Sequence, residues 1–262
     1  EDVLPYQRPP LSKKYLMGDM TFDRLLFRGA EWFAENNVDI RLSTWVEEVD
    51  RASKIVRMQD GSTLEYDKLA LATGSSPRTL PAGVGGDLDG VLTVRDKRDA
   101  DRLMQDMKPG RRLLVIGGGY IGLEAAAVAR QLGLEVTLIE MADRILQRVA
   151  SSQTAAIMRD IHEARGVSIR EKTGLVRLIG TDGHVSAAEL SDGSTLDVDF
   201  VIVGIGVLPN DRLARDSGLD IGNGILVDEF TRTSDPDIHA MGDCALLPLN
   251  GENVRLESVQ NA

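Results

Sequence analysis

Residues 117–122 read Gly-Gly-Gly-Tyr-Ile-Gly and fit the pattern G-x-G-x-x-G. Such a loop binds an anion with its backbone. Gly117 permits a tight turn, Gly119 lets the main chain approach a pyrophosphate, and Gly122 allows the following helix to pack closely on the preceding strand. Tyr120 and Ile121 complete the loop, at the helix N-terminus where unpaired N–H groups favour negative charge. Glu140 follows Gly122 by 18 residues, the spacing of a carboxylate that accepts hydrogen bonds from the ribose hydroxyls of a dinucleotide. It would repel a 2′-phosphate, so it predicts NADH rather than NADPH. Arg144 and Arg148, which could serve such a phosphate, are read as a solvated helix face. His162, His184 and His239 lie far apart and show no metal-ligand spacing. His239 is read as structural. Cys244 is the one cysteine, so neither a disulfide within the chain nor a cysteine metal site can form, and it reads as a small buried hydrophobe.

The elements that must position the loop are legible around it. Residues 112–116 predict a strand, 123–132 an Ala-rich helix stopped by Gly133, 135–140 a second strand and 151–165 another helix. This is a βαβ arrangement. It sits between two copies of a repeat: DGSTLEYD at 60–67 and DGSTLDVD at 192–199, an offset of 132 (192 − 60). Each copy begins with an Asp-Gly hairpin turn and continues into an apolar run, a Gly and a Pro. The offset also relates Gly74 to Gly206 and Pro77 to Pro209, and each of these glycines would let backbone approach a ligand. The segments flanking the central unit then form a second, discontinuous unit. Applied to Gly117, the offset puts a first glycine loop before residue 1, so the expectation is a chain that lacks the beginning of its first domain.

The chain has 262 residues, 42% hydrophobic and 27% charged, which excludes disorder; its net charge of −11 argues against a general nucleic-acid binder. The most apolar stretch, 113–129, carries Glu124 and four glycines and is not a membrane span. No signal peptide opens the chain, and the cytosol is the expected compartment. Phe22, Trp32, Phe33 and Trp45 read as core packing. The run 108–112 reads as a solvated turn, or as one edge of a patch for an acidic partner.

Five segments together resemble the FAD-dependent pyridine-nucleotide oxidoreductases, and within them the NADH-dependent ferredoxin reductases of the putidaredoxin reductase type. They are RPPLSK at 8–13, Ala72-Thr73-Gly74, GGGYIGLE at 117–124, Gly242-Asp243-Cys244-Ala245 and RLESVQNA at 255–262. The resemblance implies an α/β fold of two related Rossmann-like domains, a three-layer FAD/NAD(P)-binding architecture. An NAD domain (93–210) would be inserted in a discontinuous FAD domain (1–92 and 211–262). It implies that Lys13, Arg8 and Pro9 lie at the flavin and that Val46 meets its adenosine end. Ala72, Thr73, Gly74 and Arg78 would close on the pyrophosphate region, and Arg95 would touch FAD from the hinge. Gly242 and Asp243 would hold the ribityl chain, and Val259 would meet the isoalloxazine edge. Lys13 and Glu124 are expected to pair at the flavin N5 as the catalytic groups, a buried ammonium requiring its counter-charge.

The implied activity passes electrons from NADH through FAD to a small iron–sulfur protein that feeds an oxygenase. Rubredoxin, nitrite and monodehydroascorbate reductases share these cofactors. An NADH-sensing flavoprotein of the apoptosis-inducing-factor kind and a bare NAD-binding module are readings of other classes. The family's first glycine loop and its C-terminal domain are not found in the sequence, so the chain reads as an internal portion of a longer reductase.

Overall fold

The computed structural model describes residues 1–257; Val259 lies outside them. In chain order the elements are α1 (Ala30–Glu35), β1 (Val46–Asp50), β2 (Ile55–Met58), β3 (Thr63–Glu65), β4 (Leu69–Leu71), β5 (Ser75–Pro77), β6 (Val91–Leu92), α2 (Lys97–Asp106), β7 (Arg112–Ile116), α3 (Tyr120–Gln131) and β8 (Glu135–Ile139). They continue with α4 (Ser152–Glu163), β9 (Val167–Arg170), β10 (Leu175–Thr181), β11 (His184–Leu190), β12 (Thr195–Asp197), β13 (Phe200–Val203), β14 (Val207–Pro209), α5 (Arg212–Asp216), β15 (Ile221–Gly222), β16 (Gly224–Leu226), β17 (Ile238–Ala240), β18 (Ala245–Leu249) and β19 (Glu252–Val254).

The chain forms two compact units. One combines Pro5–Arg28 with Pro77–Gly206; the other combines Glu1–Leu4, Gly29–Ser76 and the chain from Val207 onward. This differs from the division 1–92, 93–210, 211–262 read from the sequence. Residues 91–92 pair in parallel with β13, and Leu16 is buried with Leu103, Leu123 and Phe200. Those contacts carry 5–28 and 77–92 into the central unit. Both units are assembled from separated stretches of sequence.

The central unit is built on a five-stranded parallel sheet of order β6-β13-β7-β8-β9. Its strands are short, apolar and buried on both faces, β7 and β13 almost throughout, as parallel strands covered on both faces must be. Apolar residues of α3 pack with Leu113, Val115, Val136 and Leu138 as one core, while Leu114, Val201 and Val203 join Leu178 and Leu190 in a second.

The repeat is a structural duplication. β1-β2-β3 and β10-β11-β12 are both three-stranded antiparallel sheets. Both Asp-Gly turns are built alike. Asp60 Oδ1 accepts from the Ser62 N–H at 2.9 Å and hydroxyl at 2.6 Å; Asp192 Oδ1 accepts from Ser194 at the same two distances. The strands that follow, β4 and β13, are both parallel members of their sheets.

In the outer unit β4 pairs with β17, Leu69 opposite Ile238 and Leu71 opposite Ala240. Asp237 precedes β17 and receives Lys54 on Oδ2 and Lys68 on Oδ1, each at 2.5 Å. These lysines hold its carboxyl well below the usual range, at about 2. The stability it contributes is therefore present above the ordinary carboxylate pKa near 3.8 and is lost as pH falls from there toward about 2. Thermal melts between pH 5 and pH 2 should show Asp237→Asn losing less melting temperature than the wild type across that window; equal losses would contradict the assignment.

Candidate functional site

The carboxyl ends of β7, β8 and β13 converge on the glycine loop, where ligands of open parallel sheets bind. Gly117 has φ +106° and a Cβ there would lie 2.3 Å from the Gly204 carbonyl oxygen. A Cβ on Gly122 would lie 2.1 Å from the Gly117 carbonyl oxygen. The two outer glycines are thus fixed by contacts of the loop with itself and with β13's end. Gly119 differs: nothing lies within 4 Å of its Cβ position, so its face is the open cradle. Gly119 caps α3, and Tyr120 and Ile121 at the first turn are exposed. These features fit a dinucleotide pyrophosphate.

Glu140 directly follows β8, beneath this loop. Its Oε2 accepts from the Gly118 N–H and its Oε1 from the Ala142 N–H, both at 2.7 Å. The carboxylate therefore clamps the loop, and its remaining lone pairs are those a ribose could use. Residues 141–150 form turns, not the helix face expected for Arg144 and Arg148. Arg144 donates to the carbonyls of Gln147 at 3.3 Å and Ala150 at 2.9 Å, which commits it to the turn. Glu171 Oε1 accepts from the Ile145 N–H at 2.9 Å, and Leu146 N–H donates to the Gly118 carbonyl at 2.9 Å. That anchoring of the turn on the loop has no sequence signature.

Lys13 and Glu124 meet in the central unit. Lys13 Nζ lies 2.8 Å from Glu124 Oε2, with side chains 46% and 32% exposed. The buried ammonium expected from sequence is thus half-exposed, and the pair by itself contributes only about 0.2–1 kcal/mol. The buried Ser12 hydroxyl donates to the same carboxylate oxygen at 2.8 Å, and Lys13 Nζ also reaches the Pro9 carbonyl at 3.4 Å. Glu124 stands one turn into α3, so the segment 9–13 is tied to the helix that the nucleotide loop begins. Arg8 lies over Tyr6 and donates to the Arg95 carbonyl at 2.9 Å. Tyr15 donates to Asp101 at 2.6 Å; burial, then this bond, pushes its hydroxyl up to about 12.

In the outer unit the carboxyl ends of β4 and β17 carry Ala72-Thr73-Gly74 and Gly242-Asp243. Gly74 and Gly242 take left-handed φ, +67° and +73°. Asn210, unmarked by the sequence reading, fixes the first segment. It accepts on its main-chain carbonyl from Thr73 Oγ1 at 2.5 Å, donates from its side chain to the Thr73 carbonyl at 2.8 Å, and donates its N–H to the Gly74 carbonyl at 2.9 Å. Buried Ser75 donates to Asp243 Oδ2 at 2.8 Å. Val46 opens β1 half-buried against this unit's core. Arg78 and Gly206 belong to the central unit, where the Arg78 N–H donates to the Gly206 carbonyl at 2.9 Å. Cys244 is fully buried with Sγ near the Leu71 and Met241 carbonyls, as expected.

Two surface readings change. Trp45 is 63% and Trp32 40% exposed, so neither is core. In the run 108–112, Arg111 pairs with Asp106, and Arg112 with Asp197 at 3.2 Å and Asp199 at 2.8 Å. Both arginines are thereby committed within the chain.

A parallel sheet with an open glycine cradle at its carboxyl edge defines a dinucleotide-binding α/β protein. The chain belongs to the pyridine nucleotide-disulphide oxidoreductase family, whose sequence profile matches residues 1–262. It is 42% identical over 264 residues to rhodocoxin reductase of Rhodococcus erythropolis, covering 100% of this chain and 62% of that protein. It is 42% identical over 266 residues to a ferredoxin–NAD(P)+ reductase of a Sphingomonas species, covering 100% of this chain and 64% of the relative. Among solved structures it matches the covalent putidaredoxin reductase–putidaredoxin complex with TM-score 0.96 and 40% identity, over 99% of this chain and 64% of that one. The chain thus spans 62–64% of the length of these relatives.

The two glycines make opposite predictions. Gly117→Ala should lose about 2 kcal/mol of stability or more, lowering the melting temperature by several degrees. Gly119→Ala should melt like the wild type yet bind NADH about tenfold more weakly, because its methyl occupies only the cradle. Thermal denaturation with NADH titration checks both; unchanged NADH affinity in Gly119→Ala would place the nucleotide elsewhere.

Proposed function

We propose that the protein is the NADH- and FAD-binding part of a reductase that passes electrons to a small iron–sulfur protein of an oxygenase system. The observation that carries this reading is the Lys13–Glu124 pair, 2.8 Å apart, joining the Arg8–Lys13 motif to the helix of the nucleotide loop. The names of the relatives, reductases of rhodocoxin, ferredoxin and putidaredoxin, support the choice of acceptor. A flavin held by these residues would supply hydride acceptance from NADH and one-electron release to the acceptor.

The chain's own part is binding and orientation. The amides at the start of α3 hold the nucleotide pyrophosphate, and Glu140 fixes the loop and meets the ribose. Its charge opposes a 2′-phosphate, and Arg144, turned onto carbonyls of its own loop, does not compensate. Thr73, Gly74 and Asp243 would bind the flavin, with Ala72, Val46 and Gly242 shaping the approach. Arg8, Pro9, Arg78, Arg95 and Gly206 are further proposed contacts to the two cofactors. Lys13 supplies positive charge at the site of hydride arrival, and Glu124 with Ser12 keeps the ammonium in place. The cytosol is the compartment this reading implies.

Lys13→Met tests the assignment. Buried donors of this kind are worth about 100–1000-fold in rate; screening of a half-exposed ammonium reduces that to about tenfold. Anaerobic stopped-flow should show flavin reduction by NADH slowed by about that factor with NADH affinity retained. An unchanged rate removes Lys13 from the mechanism.

A further inference from the structure

Among the described residues of the outer unit, Arg255 is a buried polar group whose burial the hydrogen bonds of its own fold do not fully explain. Arg255 has a side chain only 10% exposed. Its Nε is buried and has no hydrogen-bond partner among the described residues. The guanidinium donates through NH1 to the Asp243 carbonyl at 3.3 Å and pairs with Glu257 Oε1 at 2.7 Å. Room for this arrangement comes from Gly224, where φ is +133°. A Cβ there would stand 2.8 Å from the Cys244 carbonyl oxygen and 3.4 Å from Arg255 Cδ. Gly224 and Arg255 therefore converge on one short turn, Gly242–Cys244, and Glu257 holds Arg255 by its guanidinium.

Residue 243 is held from two directions. Ser75 binds its carboxylate at 2.8 Å, and Arg255 binds its main-chain carbonyl. Burying a guanidinium costs desolvation, and an apolar side chain of similar length would fill the same space without that penalty. What the apolar side chain could not do is fix the carbonyl of residue 243, and with it the direction in which the Asp243 carboxylate leaves the turn.

We propose that Arg255 is a positioning residue for the flavin: it sets the orientation of Asp243, and Glu257 holds the guanidinium in place. The inference rests on the reading of Asp243 as a flavin ligand. Its consequence is a separation of affinity from stability. Arg255→Met frees the turn and removes a buried charge together, so flavin binding falls while the apoprotein loses nothing. Arg255→Lys retains one charged donor for the carbonyl and recovers part of the affinity.

The experiment measures flavin dissociation from the holoprotein, the flavin midpoint potential and the melting temperature of the apoprotein, for the wild type, Arg255→Met, Arg255→Lys and Glu257→Gln. The expected result is flavin binding about tenfold weaker in Arg255→Met, with an apoprotein melting temperature no lower than wild type and a shifted potential. Arg255→Lys lies in between. Glu257 is 46% exposed, so Glu257→Gln tests the pair without threatening the fold, and it weakens flavin binding about threefold. Wild-type flavin affinity in Arg255→Met overturns the proposal. So does a loss of affinity that only follows a falling apoprotein melting temperature, with Glu257→Gln binding flavin normally. A wild-type protein that binds no flavin at all contradicts the flavin reading itself, and is seen before any variant is made.

Discussion

A parallel sheet leaves its unpaired amides where the strands end and the helices begin, and a ligand can use them only if no side chain stands in the way. In this chain that constraint falls on a few atoms. The Gly204 carbonyl presses against Gly117, the Gly117 carbonyl against Gly122, and the position between them, Gly119, is left open. Glu140 then pins the Gly118 amide from below, and the turns after it fold back onto the Gly118 carbonyl through Leu146. The loop is preformed, so a nucleotide bound there would pay little ordering entropy. Glu140 thereby carries two duties, backbone clamp and proposed ribose acceptor, and replacing it to change cofactor preference would also loosen the loop.

Duplication explains why the outer unit offers a comparable edge. Gly74 and Gly206, 132 residues apart, both lie just beyond a parallel strand, and both have positive φ. The two Asp-Gly turns agree in each hydrogen bond that closes them. What differs is how each edge is completed. The central unit fixes its loop by carbonyl contacts and a carboxylate. The outer unit fixes Thr73-Gly74 with Asn210 and Asp243 with Ser75 and Arg255. The two edges thus share a strand-and-glycine plan and differ in the side chains that support it.

Local pattern made much of this legible. The strand at 112–116, the glycine loop, the helix after it, and both hairpins follow from apolar runs and turn residues a few positions apart. The Lys13–Glu124 pair came from motif resemblance, and its partial exposure did not. The supports were not legible. Asn210 lies 137 residues from Thr73 and Ser75 lies 168 from Asp243, and nothing in their local sequence announces those partners. Trp32 and Trp45 depart from the core expected of them because residue type sets an average burial, while exposure is decided by what packs on top. Arg144 was misjudged because turns after β8 resemble a helix in composition, and a guanidinium can cap a turn as readily as it faces solvent.

The proposed function requires an NADH site and a flavin site in one protein. Its most direct test is the visible absorption of the purified holoprotein under anaerobic titration with NADH, and with NADPH in parallel. The account predicts a flavin spectrum that NADH bleaches at one equivalent and far faster than NADPH. A colourless protein, or a flavin that NADPH bleaches as fast as NADH, would contradict it.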